Sequence, residues 1–324
     1  MLKPTLRFGD DHTFKIVQFT DIHWKNGEPE DLMSRHCMET VLELEQPDLV
    51  VFTGDLIYSG EADPGWSRCQ DPVQAFKDVV KTAESRGIRW AFVFGNHDTE
   101  GDVAREQLMD VAMQHNYNCA EHGSPDLHGV GNYTLPLYCN GGEETAAVLY
   151  FFDSGRESGH PAVPGYDWIR RDQIRWYELA SQAYSVKREG NPLPSLAFFH
   201  IPLPEYGEVW ERRTCYGSKF EEVCCPEVNS GLFAAMLDRG DVMGTFAGHD
   251  HINDYWGELH GIRLCYGRAT GYGTYGREDM LRGARVIRLH EGQRQFDTWI
   301  TLSDGSQIWE QGKHEPESAD LRQQ

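Results

Sequence analysis

Five short stretches of the chain carry the residue types that hold metal ions. They are Asp21-Ile22-His23, Gly54-Asp55, Gly95-Asn96-His97-Asp98, a lone His200, and Gly248-His249-Asp250-His251. Carboxylates and imidazoles joined by one amide suit borderline divalent or trivalent ions such as zinc, manganese, iron or nickel. A carboxylate can bridge two ions, and a pair of ions about 3.5–4 Å apart can clamp both oxygens of an in-line displacement. The D-x-H and H-x-H spacings matter because alternate residues of an extended segment face one way. Taken singly, Gly54-Asp55 is an ordinary turn and His200 an ordinary core histidine. As an ordered set they point to a metal site.

The elements that must position them are strands. TFKIVQFTD (13–21), PDLVVFTGD (47–55) and IRWAFVFGN (88–96) read as buried strands ending in Asp21, Asp55 and Asn96. Helices are expected over 31–45, with Asp31 as N-cap, over 71–87, with Asp71 as N-cap and Pro72 first, and over 100–116. This βαβαβα alternation with continuous apolar strands argues for a parallel sheet covered by helices. Ligands in such sheets bind outside the carboxyl ends of the strands. Further on, strands near 131–138 and 145–153 are expected to pair. A helix follows near 168–188, then a strand at 195–200, a helix at 229–238 and a strand at 241–247. Short strands and turns fill the remainder. No linker splits the chain, so we expect an N-terminal arm (1–12), one domain (13–302) and a partly disordered polar tail (303–324).

With its motifs D21-I-H23, G54-D55, G95-N96-H97-D98, His200 and G248-H249-D250-H251, the chain resembles the calcineurin-like metallophosphoesterases. GNHDTEG, HIPLPEY and GRATGYG are similar to the branch of purple-acid-phosphatase-like plant proteins and fungal phosphoprotein phosphatases. The resemblance implies a four-layer αββα sandwich of two mixed sheets, with a dinuclear metal site at the carboxyl ends of the strands. It implies that Asp21, His23 and His251 hold one ion, that Asn96, His200 and His249 hold the other, and that Asp55 and a hydroxide bridge them. His97 would assist the leaving group, with Asp98 orienting it. The implied activity is hydrolysis of a phosphoester, on a small molecule or a phosphoprotein, with a phosphodiesterase or a non-catalytic scaffold as alternatives. The ions would be two of iron, manganese or zinc.

Tyr58 ends the stretch GDLIY. In purple phosphatases of this resemblance a tyrosine so placed binds iron, but there the first motif is D-x-G. Here His23 fills that role, so Tyr58 is expected beside the site and not as a ligand.

Composition narrows the partners. The 324 residues carry a formal charge of −21. An acidic surface repels nucleic acid and anionic membrane, so neither partner is expected, and phosphate needs a local positive centre. The longest apolar stretch, AVLYFF (147–152), is far short of a membrane span. No apolar leader is visible at the start, which suggests a cytoplasmic protein. The eight cysteines form no CxxC pair, so reduced thiols are expected. GYGTYG (271–276) spells G-x-G-x-x-G but lies among expected hairpins, so it reads as a loop at the rim of the metal site. Arg156, Arg268 and Tyr272 are the candidate substrate contacts.

Overall fold

The computed structural model describes residues 5–60, 67–186 and 190–316. In chain order the strands and helices are β1 (Leu6–Arg7), β2 (Thr13–Phe19), α1 (Pro29–Glu45), β3 (Leu49–Thr53), α2 (Pro72–Glu84), β4 (Arg89–Val93), α3 (Arg105–Ala112), β5 (Tyr133–Tyr138), β6 (Thr145–Phe151), α4 (Arg171–Val186), β7 (Ser195–Phe198), α5 (Glu205–Arg212), β8 (Cys215–Tyr216), α6 (Leu232–Arg239), β9 (Val242–Ala247), β10 (Trp256–Leu259), β11 (Ile262–Tyr266), β12 (Gly283–His290), β13 (Phe296–Leu302), β14 (Gln307–Ile308) and β15 (Lys313–His314).

The strands form two mixed sheets. One runs β14-β13-β12-β2-β3-β4, and the other β1-β5-β6-β7-β9-β11-β10-β8-β15. In the first, β2, β3 and β4 are parallel, and β12 lies antiparallel on β2. In the second, β6, β7, β9 and β11 are parallel. The parallel sheet expected from the βαβ pattern is therefore one half of a mixed one, with β4 at its edge.

Period-two alternation builds the layers. Leu149 and Phe151 on β6 join the core shared with β2, β3, β12 and β13, while Val148 and Tyr150 face the opposite side and pack with Tyr177 of α4. Phe151, Phe198 and Phe246, on three neighbouring parallel strands, stack at 5.2 Å between successive ring centroids. Each ring so buried contributes about 2–3 kcal/mol of transfer free energy. Helices α1 and α2 pack on the first sheet, and α5 and α6 on the second. The result is four layers, helix–sheet–sheet–helix.

Several local expectations change. Asp31 does not cap α1. The helix starts at Pro29 after Glu28, and Asp31 is the third residue of a capping box, accepting the N–H groups of Lys25, Gly27 and Glu28. Residues 97–99 form a single 3₁₀ turn and α3 is only eight residues long. A Cβ on Gly101 would stand 2.6 Å from the Ser59 carbonyl oxygen, so the chain there is pressed against the Ser59 loop. The arm contributes β1, paired parallel to β5. The tail contributes β14 and β15, paired to β13 and β8. Tail residues 317–324 and arm residues 1–4 lie outside the described residues. Cys37, Cys69, Cys215 and Cys265 are buried thiols. No helix of the described residues is long and apolar enough to cross a membrane.

Candidate metal centre

Five strands deliver the motif residues to one place. β2, β3 and β4 of one sheet end just before Asp21, Asp55 and Asn96. β7 and β9 of the other end just before His200 and His249. The carboxyl ends of both sheets thus converge.

The backbone turns sharply as it leaves these strands. Asp21, His23, Asp55 and His249 all have positive φ, between 50° and 78°. Such backbone is disfavoured for non-glycine residues by roughly 1–2 kcal/mol each and clusters at functional sites. Gly54 (φ +89°) and Gly95 make the approach possible. A Cβ on Gly54 would lie 2.5 Å from His200 Nδ1, and one on Gly95 would lie 2.1 Å from Asp55 Oδ1.

All seven candidate ligands are at least nine-tenths buried. Asp21, His23, Asp55 and His251 each present one donor atom within 4.8 Å of the others, and Asp55, His200 and His249 form a second such group. Asp55 belongs to both. Its Oδ2 lies 3.4 Å from His23 Nε2 and 3.2 Å from His200 Nε2. His200 Nε2 also lies 3.0 Å from Asn96 Oδ1 and 3.3 Å from His249 Nδ1.

The hydrogen bonds around these residues set their lone pairs. His200 Nδ1 sits 2.8 Å from the Thr53 carbonyl, which can only accept, so Nδ1 is the protonated nitrogen. Without a proton on Nε2 the ring would aim that nitrogen's lone pair at Asn96 Oδ1 and Asp55 Oδ2, which are acceptors themselves. Lone pairs facing lone pairs repel unless a cation lies between them. His251 Nδ1 contacts Thr274 Oγ1 at 2.9 Å, leaving Nε2 toward Asp21 Oδ1 at 3.6 Å. Both His23 ring nitrogens, Asp55 Oδ2 and His249 Nε2 are buried without a hydrogen-bond partner. The close imidazole contacts of Asp55 Oδ2 are electrostatic and lack hydrogen-bond geometry. Orphaned buried atoms cost about 1–3 kcal/mol each, and a gathering of them fits a bound ion.

Charge states divide the imidazoles. Burial pushes His23 down to about 4 and holds His249 and His251 well below the usual imidazole range, so these rings stay in the neutral, ligating form. Burial raises Asp21 to about 7, against the pull of His200. Burial opposes ionisation of Asp55 too, but the His200 and His97 charges outweigh it and keep its carboxyl well below the usual range. For His200 burial acts downward, yet the nearby negative charge of Asp55 raises it to about 9. The field that favours a proton there is the field that would favour a metal cation.

These observations meet the comparisons with known proteins. Residues 14–253 match the model of the calcineurin-like phosphoesterases. The chain belongs to the calcineurin-like phosphoesterase family. Among curated relatives it is 36% identical to "Probable inactive purple acid phosphatase 28" of Arabidopsis thaliana, over 91% of this chain and 79% of that one. It is 33% identical to "Probable inactive purple acid phosphatase 29" of the same plant, over 91% and 81%. It is 34% identical to "Phosphatase DCR2" of Saccharomyces cerevisiae, over 91% of this chain and 54% of the yeast protein. A dimetal phosphatase from Danio rerio shares the fold, with a TM-score of 0.57 at 14% identity over 88% of this chain and 98% of that one. Members of this phosphoesterase family depend on two metal ions, and the two ligand groups sharing Asp55 fit that number.

The remaining candidates are placed differently. His97 stands at the site, its ring centroid 5.1 Å from that of His23 and its N–H donating to Asp55 Oδ1 at 2.8 Å. Asp98 does not orient it. The Asp98 carboxylate points inward and accepts the backbone N–H groups of Asp55, Ile57 and Gly95, because the 3₁₀ turn sends consecutive side chains in different directions. His97 Nδ1 instead meets Glu100 Oε2 at 2.7 Å.

Arg268 is buried, ion-paired to Asp254 and bonded to the Leu281 carbonyl, which uses its guanidinium as an internal brace. Tyr272 donates to Ser303 Oγ at 3.0 Å. Arg156 is exposed and donates to the Thr99 carbonyl, at a groove of about 650 Å³ beside the His97 turn. The rim holds two other tyrosines. Tyr275 stacks on His251 at 4.1 Å and Tyr166 meets His249 edge-on at 4.4 Å. The first lies in GYGTYG, the loop expected at the rim. Nothing in the sequence around Tyr166 signals its place.

Proposed function

We propose that this chain is a metal-dependent phosphoester hydrolase, and that Asp21, His23 and His251 hold one ion, Asn96, His200 and His249 a second, with Asp55 between them. The observation that carries this reading is the convergence of two ligand groups on Asp55, with Asp55 Oδ2, both His23 ring nitrogens and His249 Nε2 buried there without a hydrogen-bond partner. When bound, two such ions draw charge off a phosphoryl group and lower the pKa of water between them, so that hydroxide is available near neutral pH.

The chain's own residues do the rest. The Thr53 carbonyl and Thr274 hydroxyl fix which nitrogen of His200 and of His251 faces inward. His97 holds a proton beside the site and passes it to the departing oxygen as the bond to phosphorus breaks, typically worth about 10²–10⁴ in rate. The rim tyrosines narrow the approach.

The substrate class is a phosphate ester, with the monoester preferred. The yeast relative's name, a phosphatase, supports this. The names of the plant relatives raise the alternative of a scaffold without activity. Against that, every motif residue of the resemblance is present here, and the seven candidate ligands are buried in one place.

The test is hydrolysis of aryl and alkyl phosphate monoesters, with an aryl diester beside them, by the metal-loaded chain and by His97→Ala. The variant should keep both metals and lose most activity on the alkyl ester. A metal-loaded wild type inert on all three esters would overturn the proposal in favour of the scaffold.

A further inference from the structure

We infer that Glu100 is the residue that positions His97, so that the ring's Nε2 faces the departing oxygen; this rests on the hydrolase reading above. The Nδ1–Oε2 distance is 2.7 Å, and both side chains remain partly exposed. An exposed pair three residues apart on a single turn is ordinarily worth under about 1 kcal/mol. Three features set this one apart.

First, the glutamate is fixed from behind. Its N–H donates to Ser59 Oγ at 3.0 Å, and the same hydroxyl donates to the His97 carbonyl at 2.9 Å. Second, space is kept for its carboxylate. A Cβ on Gly60 would stand 1.9 Å from Glu100 Oε2, so only glycine fits there without displacing it. Third, the histidine is fixed at its other end, through its own N–H on Asp55 Oδ1. With the backbone tied to Asp55 and Nδ1 tied to Glu100, the ring has one free nitrogen. That nitrogen is Nε2, on a ring packed against those of His23 and Tyr58.

Proton balance then runs through one atom. As the phosphorus–oxygen bond breaks, the Nε2 proton goes to the leaving oxygen, the ring keeps Nδ1–H on Glu100, and water returns a proton to Nε2. An aryl leaving group, already a weak base, needs this proton little; an alkoxide needs it greatly.

The experiment uses the metal-loaded chain with p-nitrophenyl phosphate and an alkyl phosphate monoester, comparing Glu100→Gln, His97→Ala and the double variant. Glu100→Gln should lower kcat on the alkyl ester about tenfold or more and change the aryl ester less than about twofold, with KM and metal content unchanged. In the His97→Ala background the Glu100 substitution should have no further effect. Equal loss on both esters, or an undiminished loss without His97, would overturn the positioning role and leave the hydrolase reading standing. A wild type inactive on both esters would remove the hydrolase reading, and this role with it.

Discussion

The Asp98 carboxylate accepts the backbone N–H of Asp55 across 3.1 Å. The residue after His97 thus holds the loop of Asp55, while His97 takes its partner from two positions further on.

A different mutant phenotype follows for each carboxylate. Asp98→Ala should strip acceptors from three buried N–H groups, those of Asp55, Ile57 and Gly95. Each orphaned donor costs about 1–3 kcal/mol. The melting temperature and the metal content should fall together, and any residual activity should fall alike on alkyl and aryl esters. Preferential loss on the alkyl ester, with metal retained, would return Asp98 to an orienting role.

Thr274 offers a test that needs no substrate. Its hydroxyl faces His251 Nδ1 at 2.9 Å. Partners of this kind orient ligating imidazoles, and their loss costs about 10–100-fold in metal affinity. Thr274→Val should weaken one of the two binding events by that factor, read by competition with a chromogenic chelator. Unchanged affinity for both ions would show that His251 needs no such partner.

Tyr58 lies with its ring 5.8 Å from that of His23 and 5.1 Å from that of His97. We expect it to remain a neighbour. The iron-loaded chain should lack the purple tyrosinate charge-transfer band, and Tyr58→Phe should leave its visible spectrum unchanged. A purple protein that bleaches on that substitution would make Tyr58 a ligand.

Stability should depend on pH through Glu45, far from the metal centre. Its carboxylate accepts from Trp299 Nε1, Thr301 Oγ1 and Gln307 Nε2. Burial pushes its pKa up, but these bonds and Lys15 outweigh burial and hold it below the ordinary glutamate value. A lowered folded pKa stabilises fully above the unfolded value of about 4.3, and the contribution is lost as pH falls through the folded value. In urea unfolding the gap between wild type and Glu45→Gln should be constant near neutrality and close as pH falls below about 4. A gap that persists in acid would mean the charge contributes nothing.

Much of the centre is legible in the sequence because its logic is local. A buried strand needs continuous apolar residues, so the polar residue ending it is conspicuous, as at Asp21, Asp55 and His249. What escapes is non-local or hidden in turn geometry. β1, β8 and β15 are two-residue strands whose partners lie far away along the chain, and no periodicity shows in two residues. α5 is masked by Pro202, Pro204 and Gly207, although Pro204 sits where a helix tolerates it, just before the first turn. Glu100 and Asp98 are both acidic residues near His97. Only the 3₁₀ turn, which brings positions three apart onto one side, decides between them.

The most direct test of the whole account is a titration of metal-stripped chain with Mn²⁺, reading bound ions and turnover of an aryl phosphate monoester in the same samples, for wild type and Asp55→Asn. Two ions per wild-type chain, activity that rises only as the second binds, and loss of both occupancy and turnover in the variant are expected. Two ions bound without turnover, or full occupancy and full activity in Asp55→Asn, would contradict this.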